Sequence, residues 1–360
     1  MGAPRAEMVY SSTNAGRQMI EPEKVRGKDT LGVVKKNEPA PVYGMRRLAI
    51  GPACDWPSWR WVGVDTSKEL AKYFDVALFD SFKRIPPCDA VLVVKHRPPL
   101  QVVKILRENG VKVIFAPIDV YESQVAIHCD RAFLESCDLV LSHSEPLLKH
   151  LRPYCTRIAL VEHHGKYTLP VMASYKHDGY VLWIGALQHA PHLLDWLTRH
   201  PVRWEVKMLT NLSSPAAVSA ARNQARRLGL GLEIGSHSIN GYEARAWSET
   251  EQLRMMQECK AAIDVKGGDF HALTKPPTKA QKFVSSGIPF ACNSESSASG
   301  YFRERGFELC SPLDEDRWFS RDYWKQICSL AGNLRERISI EAVGLCYRTE
   351  LQSLWDAESP

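Results

Sequence analysis

The feature that most restricts this chain is the run AVLVVK at residues 90–95, an apolar stretch without alternation. It is too short for a helix and apolar on both sides, so it reads as a strand covered on both faces. Further short apolar runs lie at 47–50, 76–79, 111–115, 139–142 and 158–161. Amphipathic stretches at 69–74, 100–109, 132–137 and 146–151 separate them. Repeated strand–helix–strand units predict a parallel sheet with helices on both sides. Residues 165–178 are polar and break the pattern, which then restarts. YVLWI at 180–184 ends at Gly185, and strands are expected at 204–209, 232–234, 261–265 and 288–292. Helices are expected at 192–198, 216–228, 249–259 and 278–286, with a mostly helical remainder over 315–351. The fold class is therefore α/β, two Rossmann-like doubly wound domains over 45–170 and 171–330. A polar arm at 1–44 precedes them and a helical segment at 331–360 follows. Two such domains in tandem leave a cleft between the carboxyl edges of their sheets, where these folds bind ligands.

The length of 360 residues suits two cores of ordinary size. With 46 basic against 41 acidic residues the net charge is only +5, and no block of like charge marks a nucleic-acid face. None of the ten cysteines forms a CxxC pair, so zinc-ribbon and thioredoxin-type readings have no support. The pair His163-His164 lacks a third ligand at fixed spacing, so no metal centre is expected. No apolar run approaches the ~20 residues of a membrane span. A reduced, cytoplasmic setting without a transmembrane segment is the expectation.

Residues 261–292 read AAIDVKGGDFHALTKPPTKAQKFVSSGIPFAC and carry the chemistry. A buried strand leads into a loop containing Gly267-Gly268, the loop enters a helix through Pro276-Pro277, and Gly287 ends it. Proline favours the first helical turn and glycine the position past the last. A helix N-terminus offers free N–H groups and partial positive charge to a phosphate. Lys275 and Lys279 add two full charges there, an arrangement suited to holding a diphosphate as it leaves.

The run PTKAQKFVSSGIP at 277–289 resembles the donor-binding signature of group 1 glycosyltransferases of the GT-B fold. In these enzymes a Pro-x-Lys segment enters a helix that ends in a small-residue–Gly–x–Pro turn. Residues 181–185, 247–264 and 137–151 resemble other parts of that family in the same order. The resemblance implies a GT-B fold and a nucleotide-sugar donor (a UDP- or GDP-sugar), with no permanently bound cofactor. It places Gly185, Lys275, Thr278, Lys279, Gln281 and Lys282 around the donor. One departure matters: the family usually has a ribose-binding Glu where this chain has Lys282, and an ammonium accepts no hydrogen bond. Gln281, Asp269 or Glu251 are the alternative acceptors.

On the opposite edge, Gly51 opens the segment GPACDWPSWRW, whose Trp56, Trp59 and Trp61 are flat surfaces for sugar rings or core anchors. Gly51, Trp56, Trp59 and Lys95 are the candidate acceptor contacts. Asp65 is expected to cap a helix near Ser67, with contact to sugar hydroxyls as the alternative. Asp119 and His128 follow the 111–115 strand, and the resemblance implies an acidic residue or a histidine near the reacting carbon from this region. An inverting transfer needs a general base to deprotonate the acceptor hydroxyl, and Asp119 is the first choice. The expected function is transfer of a hexose to an unknown acceptor: a glycan, a lipid-linked glycan, a small molecule or, less readily, nucleic acid. The alternatives are a non-catalytic sugar-nucleotide or glycan-binding protein, a sugar-nucleotide epimerase, and a nucleic-acid-modifying glycosyltransferase.

Overall fold

The computed structural model describes residues 45–356; the arm expected at 1–44 and residues 357–360 lie outside the described residues. In the first half the strands are β1 (Arg47–Gly51), β2 (Asp75–Leu78), β3 (Ala90–Val94), β4 (Lys112–Ala116), β5 (Leu139–Ser142) and β6 (Ile158–Leu160). Its helices are α1 (Pro57–Trp59), α2 (Thr66–Leu70), α3 (Leu100–Glu108), α4 (Gln124–Cys129), α5 (Arg131–Ser136) and α6 (Glu145–Leu151), with a π-helical turn at Arg60–Asp65 joining α1 to α2. In the second half come β7 (Val181–Ile184), β8 (Val206–Thr210), β9 (Ser238–Ile239), β10 (Tyr242–Ala246), β11 (Ala261–Asp264) and β12 (Phe290–Cys292). Between and after them lie α7 (Ala190–Arg199), α8 (Pro215–Arg227), α9 (Glu249–Glu258), α10 (Phe270–Thr274) and α11 (Thr278–Ser285). The chain continues through α12 (Ser297–Arg303), α13 (Glu315–Trp318), α14 (Arg321–Arg337) and α15 (Ile340–Asp356).

The first six-stranded sheet has the order β2-β1-β3-β4-β5-β6 and is parallel throughout. All of β3 is buried, as its unbroken apolar run requires. Successive side chains of a strand point to opposite faces, and the two faces feed separate cores. Leu48, Ile50, Leu92 and Val94 pack in one; Ala49, Val91 and Val93 pack in the other. The second sheet has the order β12-β11-β7-β8-β10-β9, parallel except for the β9–β10 pair.

The order of strands reverses at β7, so the loops after β7 and β11 diverge to opposite sides and leave a crevice between them. The segment identified by its glycines, prolines and lysines leaves β11 at that crevice and re-enters as α11. Two local expectations change. The strand expected at 232–234 is reduced to a single bridge, Ile234 to Ile239. The sheet edge is instead the β9–β10 hairpin, whose turn has Asn240 and Gly241 both left-handed (φ 48° and 82°). The helix expected at 69–74 ends at Leu70, and helical structure begins earlier, inside the tryptophan segment.

Candidate functional site

A cleft of about 600 Å³ lies between the carboxyl ends of the two sheets. Its second-half wall is built from the loop after β7, the loop after β11 and the start of α11. Gly185 lines it, and close packing demands glycine there: a Cβ would meet the Trp183 ring at 2.5 Å. Gly267 is similarly close to the His192 ring, at 2.6 Å.

Lys266, Lys275, Thr278, Lys279 and Lys282 all line the same cleft. Most other helices here are capped by a Ser or Asp side chain, such as Ser248 on α9 and Ser296 on α12. At α11 no side chain does so, and its first residues, Thr278 to Ala280, face the cleft with their N–H groups unclaimed by a cap. Lys279 donates to Asp264 Oδ1 at 2.5 Å, and Lys266 Nζ lies 3.6 Å from Asp264 Oδ2. Burial works to raise the Asp264 pKa, but Lys279 and Lys266 overcome it and hold the carboxyl below its usual range. Burial also lowers the pKa of Lys279, opposed by Asp264. Lys275 donates to His189 Nε2 at 3.3 Å. Burial, with Lys275 and Lys279 nearby, pushes His189 down to about 3, so its imidazole is neutral and accepts that bond. An ammonium has three donors. Each lysine therefore keeps donors for a phosphate after its protein contact is made.

Lys282, one turn further along α11, has different surroundings. Its Nζ donates to Gln252 Oε1 at 3.1 Å and sits 5.6 Å from the Tyr167 ring centre. Burial, then the charge of Lys279, push its pKa down to about 7.

The first-half wall brings Arg60, Trp61, Asp119, His163 and Tyr167 to the cleft. Asp119 has a left-handed backbone (φ 51°), and its carboxylate lies 3.7 Å from His271 Nε2. Burial, then the Lys275 charge, keep the His271 pKa below its usual value. A carboxylate beside a neutral imidazole, facing the lysine-lined wall, suits proton abstraction.

Several sequence candidates are elsewhere. His128 is exposed on α4, edge-on to Tyr154, and does not line the cleft. Gln281 faces away from it and donates to Glu162 at 3.1 Å. Gly51 packs against Phe79, Trp59 is buried in the first core, and the exposed Trp56 has the Lys95 ammonium 4.4 Å above its ring. None of these lines the cleft; Trp61 of the same segment does. Asp65 caps nothing; it pairs with Lys166 at 2.7 Å and His164 at 3.2 Å. Of the alternative ribose acceptors, Asp269 lines the cleft while capping α10, whereas Glu251 is engaged by Arg254 and Arg245.

Sequence reasoning missed Lys266, Asp264 and Gln252 as site residues. For the first two a signal existed: DVKGGD directly follows an apolar strand, at the sheet edge where ligands bind.

No protein-family model matches the chain. Among curated proteins, Siroheme synthase 1 of Yersinia enterocolitica is 26% identical over 184 residues, 50% of this chain. The match spans 36% of that protein, so the chain corresponds to about a third of its length. Among solved structures, a glycosyltransferase from Rickettsia africae superposes with a TM-score of 0.53 at 11% identity, over 87% of this chain and 99% of that one. AviGT4, a glycosyltransferase of avilamycin A biosynthesis, gives 0.50 at 11% identity, over 87% and 98%. The trehalose-6-phosphate synthase OtsA gives 0.50 at 11% identity, over 73% and 72%. The chain has the GT-B fold that these proteins share.

Proposed function

We propose that this GT-B chain is a glycosyltransferase that moves a hexose from a UDP- or GDP-sugar to an acceptor hydroxyl. The observation that carries the reading is the meeting of the uncapped α11 N-terminus with Lys266, Lys275 and Lys279 at the crevice beside β7. A leaving nucleoside diphosphate gains negative charge on its terminal oxygens, and fixed donors aimed at that charge lower the barrier. In this reading Lys275 and Lys279 bind the diphosphate, and the α11 N–H groups bind its remaining oxygens. Asp264 orients Lys279, and Gly185 gives the donor room against β7. Asp119 takes the acceptor proton if the configuration inverts. The likeness to solved glycosyltransferases supports the fold on which such a site is built.

The test is to incubate the chain with UDP-glucose, UDP-GlcNAc and GDP-mannose and measure release of free UDP or GDP. Slow hydrolysis of one donor is expected, and Lys275→Ala should cut it by about 100-fold, the scale of losing one oxyanion donor. Absence of any nucleotide binding by calorimetry would sink the reading.

A further inference from the structure

The cleft has a second corner, centred on Gln252, that the diphosphate site does not use. Lys266 and Lys279 share Asp264, but among the described residues no carboxylate lies within ion-pair distance of Lys282. Its hydrogen-bond partner is the neutral Oε1 of Gln252, which is buried and also accepts from Trp247 Nε1 at 3.0 Å. Turning that amide over would put its NH₂ against two donors, so its orientation is fixed. The Gln252 Nε2 in turn donates to the Tyr167 carbonyl at 3.3 Å. Tyr167 has a left-handed backbone (φ 58°), a conformation costly for an aromatic residue and sustained here by its neighbours. Its ring meets Trp247 edge-on at 5.8 Å, and Trp247 is left 40% exposed.

One glutamine thus holds a lysine, a tryptophan and a strained tyrosine around an opening in the cleft. The charged neighbours are cations: Lys279 on the same helix, and Lys166, which shares the Tyr167 ring and is already paired with Asp65. A desolvated ammonium without a counter-charge is costly. A ligand that brings a negative group relieves that cost, and one with only hydroxyls does not.

We infer that Lys282, Tyr167 and Trp247 form an anion subsite that reads a carboxylate or phosphate carried by the ligand, apart from its diphosphate. The inference rests on the donor reading above and adds its substrate class: a nucleotide sugar bearing an acidic group, either on the sugar or on the ribose. The anion pairs with the protonated Lys282 while the rings cover the apolar part of the ligand. Because Lys282 is only partly protonated near neutral pH, binding takes up a proton.

Calorimetry on the full chain, at about pH 7.5 in two buffers of different ionisation enthalpy, tests this. One arm compares UDP-glucose with UDP-glucuronate; the other compares UDP with UDP phosphorylated at the ribose 3′-hydroxyl. In one arm the acidic ligand should bind at least about tenfold more tightly than its parent, with proton uptake. Lys282→Met should remove both the preference and the uptake, while Lys282→Arg should keep the preference and lose the uptake. Equal binding within both arms, or a preference that survives Lys282→Met, overturns the inference and leaves the donor reading standing. Failure of all four ligands to bind overturns both.

Discussion

At the scale of single residues, the three lysines on and beside α11 differ in how the fold balances their charge. Lys279 is held by Asp264 and Lys275 faces a neutral histidine, whereas Lys282 is desolvated against a neutral amide. An unfolded lysine titrates near ~10.4; Lys282 in the fold titrates at about 7. Between those values the unfolded chain binds more protons than the folded one, so this residue makes stability rise with pH. Below them its ammonium is a burden on the fold. Lys282→Met, close in shape and uncharged, should therefore unfold at a higher temperature than the parent at about pH 6. The gap should close towards about pH 10, where the parent's lysine is neutral when folded. Thermal unfolding followed across pH checks this, and parallel curves for the two proteins would refute it. The lysines themselves were legible in the sequence because helix boundaries and spacing fix where they project. Their partners were not. Asp264 is 15 positions from Lys279 and Gln252 is 30 from Lys282, and spacing along one element carries no information about such contacts.

At the scale of elements, the short polar link after β6 does more than end a strand. Glu162 accepts hydrogen bonds from Gln281 of α11, the Tyr301 hydroxyl of α12, Arg305 beyond α12, and Arg337 at the end of α14. One carboxylate thereby fixes three helices of the second half against the first sheet, close to the cleft. Gln281 was expected at the donor as a substitute ribose acceptor, but two positions along α11 from Lys279 it lies on another face of the helix, where Glu162 holds it. Removing a charged acceptor strands the arginines around it, so Glu162→Ala should cost about 2–3 kcal/mol in chemical denaturation. Glu162→Gln should cost less, since its carbonyl still accepts. Loss below about 0.5 kcal/mol, the level of an ordinary surface substitution, would show the cluster to be incidental. Other elements were open to sequence reading and still missed. Asn240-Gly241 is a strong signal for a two-residue hairpin turn, but the flanking segments are too polar to stand out as strands. The π-helical turn at Arg60–Asp65 has no such signal. It depends on Gly63 lying against the Trp59 ring, where a Cβ would come within 2.2 Å, and it helps bring Arg60 and Trp61 to the cleft.

At the scale of the whole molecule, the last two long helices bind the two halves into one body. The helix α14 buries Tyr323, Ile327 and Leu334 in the second core. After it the chain crosses back, and α15 buries Val343, Tyr347, Leu351 and Leu354 in the first. Gly344 permits this approach, because a Cβ there would meet Glu69 of α2 at 2.2 Å. From the sequence the tail read only as a helical segment at 331–360: the apolar stripe of an amphipathic helix shows that it has a partner surface, not which of two cores provides it. The energetic consequence is large. Each buried apolar side chain contributes about 1.5–3 kcal/mol, so the four on α15 together supply about 6–12 kcal/mol to the first core. A domain's entire stability is typically about 5–15 kcal/mol. Deleting residues 340–360 should thus leave the first sheet unable to hold its fold, while the second half, which keeps α14, stays ordered. Hydrogen exchange resolves the two halves. Amides of β1, β3 and β4 should lose protection in the truncated chain, whereas those of β7, β8 and β11 should retain most of theirs. If β3, buried along its whole length, stays as protected as in the full chain, α15 is an ornament on a self-sufficient domain. If both halves lose protection together, the cleft is held as one cooperative unit, and the donor wall is no more independent of the tail than the wall it faces.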